Sequence, residues 1–324
     1  MRISREMLAG QAASSGFRPD LLEKVARLLG LLQAFQAHPF LKDRLALKGG
    51  TALNLFLFNV PRLSVDIDLN VVGAVDRDGM IAQRPAIEQA ISAVVSREGF
   101  VLKRMPTDHA GGKWVLRYDS AEGQSGNLEL DVNFMFRVPL WPVEKLDSRP
   151  IGSWRAVDIP VMDVHELAAG KLAALVSRRK ARDLFDAQNI LQMGNLDVER
   201  LRIAFVVYGG MNRKDWRTVN VEDVSFDVRE FDSQLLPTLR NAAEIDRKSA
   251  SYAERLVAEC RERLSRVLPL RDSEIEFLNL LLDRGLIDPA LLTADVDVQQ
   301  RIRSHPWLEW KALNVRQHKL GMGT

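Results

Sequence analysis

The spacing of apolar residues divides the chain into a mixed first half and a helical second half. Residues 20–37 carry apolar side chains every three or four positions, the period of an amphipathic helix. Four β-type runs follow, at 45–48, 65–72, 113–118 and 128–136. Helical stretches near 51–58 and 85–97 lie between them. This alternation predicts an α+β or α/β domain over residues 1–160.

Beyond about residue 160 the pattern becomes almost entirely helical. Long segments with helical periodicity are predicted at 163–193, 197–208, 228–267, 271–285 and 296–314. The sequence contains no repeat of solenoid length. We therefore expect a second, mostly helical domain over residues 161–324.

Composition and charge narrow the class of protein. Of the 324 residues, 46% are hydrophobic, enough to bury a substantial core. The net charge is only +2, so a nucleic-acid partner would have to bind a local basic patch. Cys260 is the single cysteine, which excludes an intrachain disulfide and suits a reducing compartment. Since no apolar run reaches the roughly 20 residues that span a bilayer, a cytoplasmic protein is expected.

Two carboxylates lie two positions apart in the second β-type run. On a strand of this alternating polarity, four polar residues share one side: Arg62, Ser64, Asp66 and Asp68. Ionised carboxylates this close repel each other, and a divalent cation is the natural counter-charge. Mg²⁺ takes one or two protein carboxylates and completes its shell with water and phosphate oxygens. An isolated Asp-x-Asp can also be a solvated strand face.

A glycine pair precedes this strand by about fifteen residues. The sequence Lys48-Gly49-Gly50-Thr51 joins a β-type run to a helix, for which Thr51 is the predicted N-cap. Glycines let the backbone approach a ligand closely, and the free N–H groups at a helix start favour phosphate. Alone the pair would indicate a turn. Combined with Asp-x-Asp it predicts a triphosphate site beside a metal site.

A third carboxylate is predicted on the β-type run at 128–136. Glu129 and Asp131 lie on one face of this strand. Either could help hold a second metal ion and accept the proton of an attacking hydroxyl. Asp131 is the preferred choice and Glu129 the alternative, although acids on an exposed strand also occur without function.

The first long helix of the second half carries a line of cations. Three of them lie along one side of an ideal helix, about one or two turns apart: Lys171, Arg178 and Arg182. Such a charge run is ordinarily a solvated face with local ion pairs. Next to a triphosphate site, Lys171 would instead contact phosphate. Asp183 or Asp186 would then orient Lys171, the sugar or the base.

Together these motifs resemble a known group of enzymes. A Gly-Gly-Thr turn, then Asp-x-Asp on the following strand, then a later strand acid is similar to the pattern of the DNA polymerase β-like nucleotidyltransferase superfamily. More narrowly, the segments KGGTALNL, PRLSVDIDL and KLAALVSRRKARDLFD resemble the AbiEii/AbiGii toxin family. That family includes the MenA-type tRNA-modifying toxins of type IV toxin–antitoxin systems. The C-terminal HPWLEWKALNVRQ is also similar to the family's closing helix.

The resemblance implies an α+β fold, with a polymerase β-like mixed sheet and flanking helices. It also implies that the first helix of the C-terminal domain completes the active site. By this resemblance Asp66, Asp68 and Asp131 would hold Mg²⁺ or Mn²⁺ and, with Lys171, carry catalysis. The residues implied to bind the NTP are Lys48, Gly49, Gly50, Thr51, Arg62, Ser64, Arg178, Arg182, Asp183 and Asp186.

The expected activity is Mg²⁺-dependent transfer of a nucleoside monophosphate from an NTP to an acceptor hydroxyl, with release of pyrophosphate. By resemblance, the acceptor is the 3′ end of tRNA, the partner is a separately encoded antitoxin, and no membrane is involved. Two alternatives remain open. One is transfer to a small molecule or a protein side chain, and the other is a non-catalytic nucleotide-binding module.

Overall fold

The computed structural model of the chain describes residues 3–73, 76–106, 110–240 and 249–319. The chain forms two compact units, each assembled from separate stretches. The first unit comprises Met1–Met135, Val143–Met162 and Asp232–Ser249, and the second comprises Phe136–Pro142, Asp163–Phe231 and Ala250–Thr324. One change of unit falls at Met162, close to the boundary expected from the sequence. Further changes bring later residues of the chain into the first unit.

A seven-stranded mixed sheet forms the centre of the first unit. Its strands are β1 (Leu45–Lys48), β2 (Asp66–Val71), β3 (Val101–Arg104), β4 (Gly111–Asp119), β5 (Ser125–Asn133), β6 (Glu144–Leu146) and β7 (Ile159–Val161). They follow the order β3-β4-β5-β2-β1-β7-β6 across the sheet. The pairs β2/β5 and β1/β7 are parallel and the other pairs are antiparallel. The predicted α+β class with a mixed sheet is confirmed.

Four helical segments accompany this sheet: α1 (Arg5–Ser15), α2 (Pro19–Ala37), α3 (Gly49–Thr51), which continues as the π-helix Ala52–Leu57, and α4 (Arg77–Arg97). Helix α2 begins with Pro19 in its first turn, where the missing N–H costs no hydrogen bond. Its buried stripe includes Leu22, Val25 and Leu29, and the helix contacts β5, β7 and α4. Asp76 caps α4 by accepting the N–H of Gly79. One face of the sheet is therefore covered by an apolar core.

The second unit is helical apart from its connections. It contains α5 (Val164–Arg178), α6 (Ala181–Leu191) and α7 (Val198–Gly210). Further helices follow at Ser249–Leu264, Asp272–Asn279, Val296–Arg303 and Pro306–Lys319. The side chains of Asp163 and Asp197 cap α5 and α7 by accepting backbone N–H groups of the first turns.

Three of the predicted helical segments are divided in the structure, and for one of them, 228–267, Pro237 already predicted an interruption. The segment 163–193 is interrupted because Arg179 adopts a left-handed φ of 55° and ends α5. The segment 296–314 is interrupted at Ser304, and Pro306 begins the next helix. The predicted helix 228–267 gives way to short turns before Arg240, and residues 241–248 lie outside the described residues.

The residues that the structure describes contain neither a membrane-spanning helix nor a reactive thiol. Within the described ranges, no helix is both long and apolar enough to cross a bilayer. Cys260 is buried, and that burial raises the pKa of its thiol to about 12. The thiol is therefore protonated at neutral pH and is a packing group.

Candidate active site

Strand β2 presents two carboxylates on one side of the sheet. Ile67 and Leu69 are buried in the core, whereas Asp66 and Asp68 alternate with them and are only half-buried. Because successive side chains of a strand point to opposite faces, the two carboxylates share the face that the apolar core leaves accessible. This strand lies at the position predicted for 65–72.

Gly49 brings the turn after β1 against one of these carboxylates. Its φ is +72°, a conformation that residues with a Cβ rarely adopt. A Cβ at this position would overlap Oδ2 of Asp68 and lie 3.0 Å from its Cγ. The pairing of Lys48 with Asp68 in the β1/β2 ladder fixes this approach. The glycine turn and the second carboxylate are therefore immediate neighbours.

Thr51 does not cap the helix, in contrast to the prediction. The helical segment begins at Gly49, so Thr51 already has helical φ and ψ of −68° and −43°. Its hydroxyl instead donates to the backbone carbonyl of Asp66 at 2.5 Å. This hydrogen bond ties the start of the helix to the strand that carries the acids. Thr51 is buried, so its role in the described structure is to hold the two elements together.

Strand β5 places two further acids beside the first pair. In the parallel β2/β5 ladder, Asp131 lies opposite Asp68 and Glu129 lies opposite Asp66. Residues that face each other across a ladder project to the same side of the sheet. Four carboxylates therefore form two adjacent rows on the accessible face.

Lys113 faces these acids, and the sequence analysis did not single it out. It lies opposite Asp131 in the β4/β5 ladder, and its Nζ is 2.6 Å from Oε2 of Glu129. The hydrogen bond to Glu129, together with the charges of Asp66 and Asp131, holds the pKa of the Lys113 ammonium above its ordinary value. The alternation of polar and apolar residues in KWVLRY predicts that Lys113 lies on the polar face of a strand. It does not predict the register that places Lys113 beside the acids of β5.

Arg62 and Ser64 are less accessible than the carboxylates. Arg62 is buried, and its guanidinium donates to the backbone carbonyl of Leu63 at 3.0 Å. The backbone N–H of Leu63 in turn donates to the carbonyl of Thr238. Ser64 is also buried, with 7% of its surface exposed. The segment leading into β2 is thus held by residues far along the chain.

In the second unit, residues of the predicted basic helix form a network of ion pairs. Nζ of Lys171 lies 2.9 Å from Oδ1 of Asp183 and 3.0 Å from Oδ2 of Asp186. Arg178 contacts the other oxygen of Asp183 at 3.0 Å. Asp186 is fully buried, and its partner is Lys171 on the preceding helix rather than Arg182. The structure thus brings together four of the residues predicted on this segment.

The remaining cations of this segment do not continue the line that a single ideal helix would give. Since Arg179 ends α5, Arg182 lies on α6 and is not aligned with Lys171 along a single helix axis. Arg182 is half-buried, while Arg178 and Arg179 are exposed. The helical spacing used in the sequence analysis is therefore wrong beyond Arg178.

The first unit offers a metal ion a pair of carboxylates rather than a complete set of protein ligands. Among the described residues, no group of three or more His, Cys, Asp or Glu is arranged to hold a metal ion. A pair of carboxylates fits the requirement of Mg²⁺, which uses one or two protein carboxylates and takes its other ligands from water and substrate phosphate. Asp66 and Asp68, next to the Gly49 turn, are suited to that role.

Known proteins resemble the chain in both sequence and fold. The family model "Nucleotidyl transferase AbiEii toxin, Type IV TA system" matches residues 30–270. The structure of MenT4, a nucleotidyltransferase toxin from Mycobacterium tuberculosis H37Rv, is similar over 100% of both chains, with a TM-score of 0.60 and 18% sequence identity. At this identity the likeness shows the fold. No curated protein matches by sequence.

Proposed function

The chain belongs to the AbiEii family of nucleotidyl transferase toxins of type IV toxin–antitoxin systems, and we propose that it adds a nucleoside monophosphate to the 3′ end of tRNA. Family membership gives the nucleotidyltransferase activity, the NTP substrate and a separately encoded antitoxin. The acceptor, the identity of the metal and the roles of individual residues are our proposals. They rest on the accessible sheet face of the first unit.

The observation that supports this proposal best is the contact between the Gly49 turn and Asp68. A glycine turn at a helix start binds phosphate through backbone N–H groups, and a neighbouring carboxylate pair binds a divalent cation. In our proposal Asp66 and Asp68 hold Mg²⁺, and the Gly49-Gly50 turn holds the triphosphate. The bound cation would neutralise charge on the phosphates during transfer.

The reaction requires a general base, here an ionised carboxylate, that accepts the proton of the acceptor hydroxyl. The hydroxyl oxygen forms a bond to the α-phosphorus, the bond between the α-phosphorus and the bridging oxygen breaks, and pyrophosphate leaves. We assign the proton to the carboxylate of Asp131, because Glu129 is already paired with Lys113 at 2.6 Å. Asp131 also lies directly opposite Asp68 in the ladder.

Substitution of each acid separates the two candidates. Asp131→Asn should lower kcat by about 10²-fold or more, the usual contribution of a general base. Glu129→Gln should have a much smaller effect, and both substitutions preserve side-chain size. Single-turnover transfer with saturating NTP and RNA measures the difference. A larger loss in Glu129→Gln would transfer the role of base to Glu129.

The proposed substrates are tested directly with the purified protein. The chain is incubated with each labelled NTP, Mg²⁺ and total cellular RNA, and label is expected in tRNA-sized bands for at least one NTP. Asp68→Asn is the matched inactive control. Label in protein, or in a small molecule after the RNA is digested, would favour the alternative acceptors. NTP binding without transfer to any acceptor would favour a non-catalytic module.

A further inference from the structure

The sheet face that carries the acids continues over β4 and β3 to the edge of the sheet. Trp114, Leu116 and Leu128 are buried on the opposite face, so the intervening residues project to the acid side. Val115 lies opposite Glu129, and Arg104 on the edge strand lies opposite Val115. One continuous surface therefore extends from Asp66 on β2 to Arg104 on β3.

The charge of this surface changes sign along its length. Lys113 and Arg117 alternate with buried residues of β4, and Arg104 follows on β3. Lys113 and Arg117 are four positions apart on one side of β4, a separation of about 13 Å, so these cations form an open array rather than a compact cluster. No ion pair links Arg104 or Arg117 to an acid in the part of the chain that the structure describes. Asp119 ends the array at the far end of β4.

The acids thus lie between two features that suit phosphate. The Gly49 turn adjoins Asp68 on the β1 side, and Lys113 lies opposite Asp131 on the β4 side. Nucleotidyl transfer to an RNA end brings together two phosphate-bearing substrates, and one set of carboxylates must lie between them. The glycine turn serves the triphosphate, so the cations beyond Asp131 remain for the acceptor.

We propose that the exposed face of β3, β4 and β5 binds the phosphate backbone of the acceptor RNA. Arg104 and Arg117 contact phosphates, and Lys113 adds a third positive charge next to Asp131. Guanidinium groups suit this role because they bind phosphate through two parallel hydrogen bonds. The inference rests on the proposed function, since it places the acceptor RNA relative to the same carboxylates.

The test removes Arg104 and Arg117, for which the described residues contain no acidic partner. The variant Arg104→Gln/Arg117→Gln is compared with Arg97→Gln, which removes an exposed arginine at the end of α4, and with Arg178→Gln/Arg182→Gln in the second unit. Transfer is measured against RNA concentration and against NTP concentration. RNA binding is measured separately by fluorescence anisotropy in the Asp68→Asn background, over a range of salt concentrations.

The double variant is expected to raise the KM for RNA roughly tenfold and to leave the KM for NTP unchanged. Loss of two phosphate contacts should make the plot of log binding constant against log salt concentration less steep, by about 1.4 units of slope. Arg97→Gln should behave as the wild type. Arg104→Gln and Arg117→Gln separately should each show about a threefold effect, which keeps the test valid if the double variant folds poorly.

Three results would overturn the proposal. They are a double variant that matches Arg97→Gln, an equal rise in the KM for NTP, and an effect confined to Arg178→Gln/Arg182→Gln. Each of these leaves transfer to RNA by the wild type intact, so the proposed function would survive. A wild type that labels no RNA would overturn the proposed function, and unchanged RNA binding by the double variant would then overturn the surface as well.

Discussion

The two units place similar charges in opposite environments. In the first unit, the Lys113 and Glu129 side chains are 55% and 41% exposed. In the second unit, the Lys171 and Asp186 side chains are 10% and 0% exposed. An exposed ion pair contributes little to stability and can exchange its partner for a ligand, whereas a buried charge depends on its neighbour. The first arrangement therefore suits chemistry, and the second suits the joining of two helices.

The largest expected effect is the loss of transfer activity when one of the accessible carboxylates is removed. Asp68→Ala should lower transfer by about 10³-fold or more, because it removes half of the proposed metal site. The melting temperature should stay the same or rise, since one of two repelling carboxylates is lost. Asp119→Ala, an exposed acid at the end of β4, is the matched control. Wild-type activity in folded Asp68→Ala would refute the assignment.

The structural role of the buried ion pairs is tested by replacing one lysine in each unit. Lys171→Ala should lower the free energy of unfolding by about 3 kcal/mol or more, because it removes the ammonium group that contacts both buried carboxylates, Asp183 and Asp186. Lys113→Ala should change the free energy of unfolding by less than about 1 kcal/mol. Urea denaturation of both variants measures the contrast. Equal losses would show that the two charge sets have the same structural role.

A glycine substitution tests how closely the accessible site is assembled. Gly49→Ala introduces a Cβ that overlaps the Asp68 carboxylate and should lower both stability, by about 2 kcal/mol, and transfer. Gly99→Ala has a similar φ of +84° but has no atom within 4 Å of its Cβ. The difference between the two variants therefore isolates the contact with Asp68. Equal transfer rates in both would remove the glycine turn from the proposed site.

The smallest expected effect is a change in the pH dependence of stability, and it concerns another buried acid, Glu166. Burial raises the pKa of its carboxyl to about 8, even though the backbone N–H groups of Leu140 and Trp141 donate to it and favour the ionised form. In the unfolded chain the carboxyl ionises near pH 4.5. Its stabilising contribution is therefore complete below pH 4.5 and is lost as the pH rises through about 8.

Glu166→Gln should remove this dependence because it mimics the protonated acid. The melting temperature of the wild type should fall more between pH 6 and pH 9 than that of Glu166→Gln. Glu122→Gln, in an exposed turn, should behave as the wild type. Identical slopes for all three proteins would indicate that Glu166 is ionised in the folded state.

The sequence predicted best what is decided locally. The alternation of β2, β4 and β5 follows from neighbouring residues, and these strands occur close to their expected positions. The glycine turn was also recognisable, because the Gly-Gly pair precedes an Asp-x-Asp strand by about fifteen residues and the combination is more specific than either motif alone. Features that depend on distant partners were not predictable in this way.

Three examples show the physical reason. Lys113 became a site residue only through the β4/β5 register, which no local pattern specifies. The end of α5 depends on Arg179 in a left-handed conformation, for which glycine would have been the usual signal. The burial of Arg62 accompanies backbone pairing with Leu239, a residue far along the chain.

The hydrogen bond between Leu63 and Thr238 also affects when the first unit can be completed during synthesis. The backbone entering the acid-bearing strand is completed by chain that is made 175 residues later. A ribosome needs roughly 10–35 s to add that length. During this interval the emerging polypeptide lacks a fixed approach to Asp66, and a product ending at Phe231 should label no RNA. The hydrogen bond that holds the entry to the acid-bearing strand can therefore form only after residue 238 has been added to the chain.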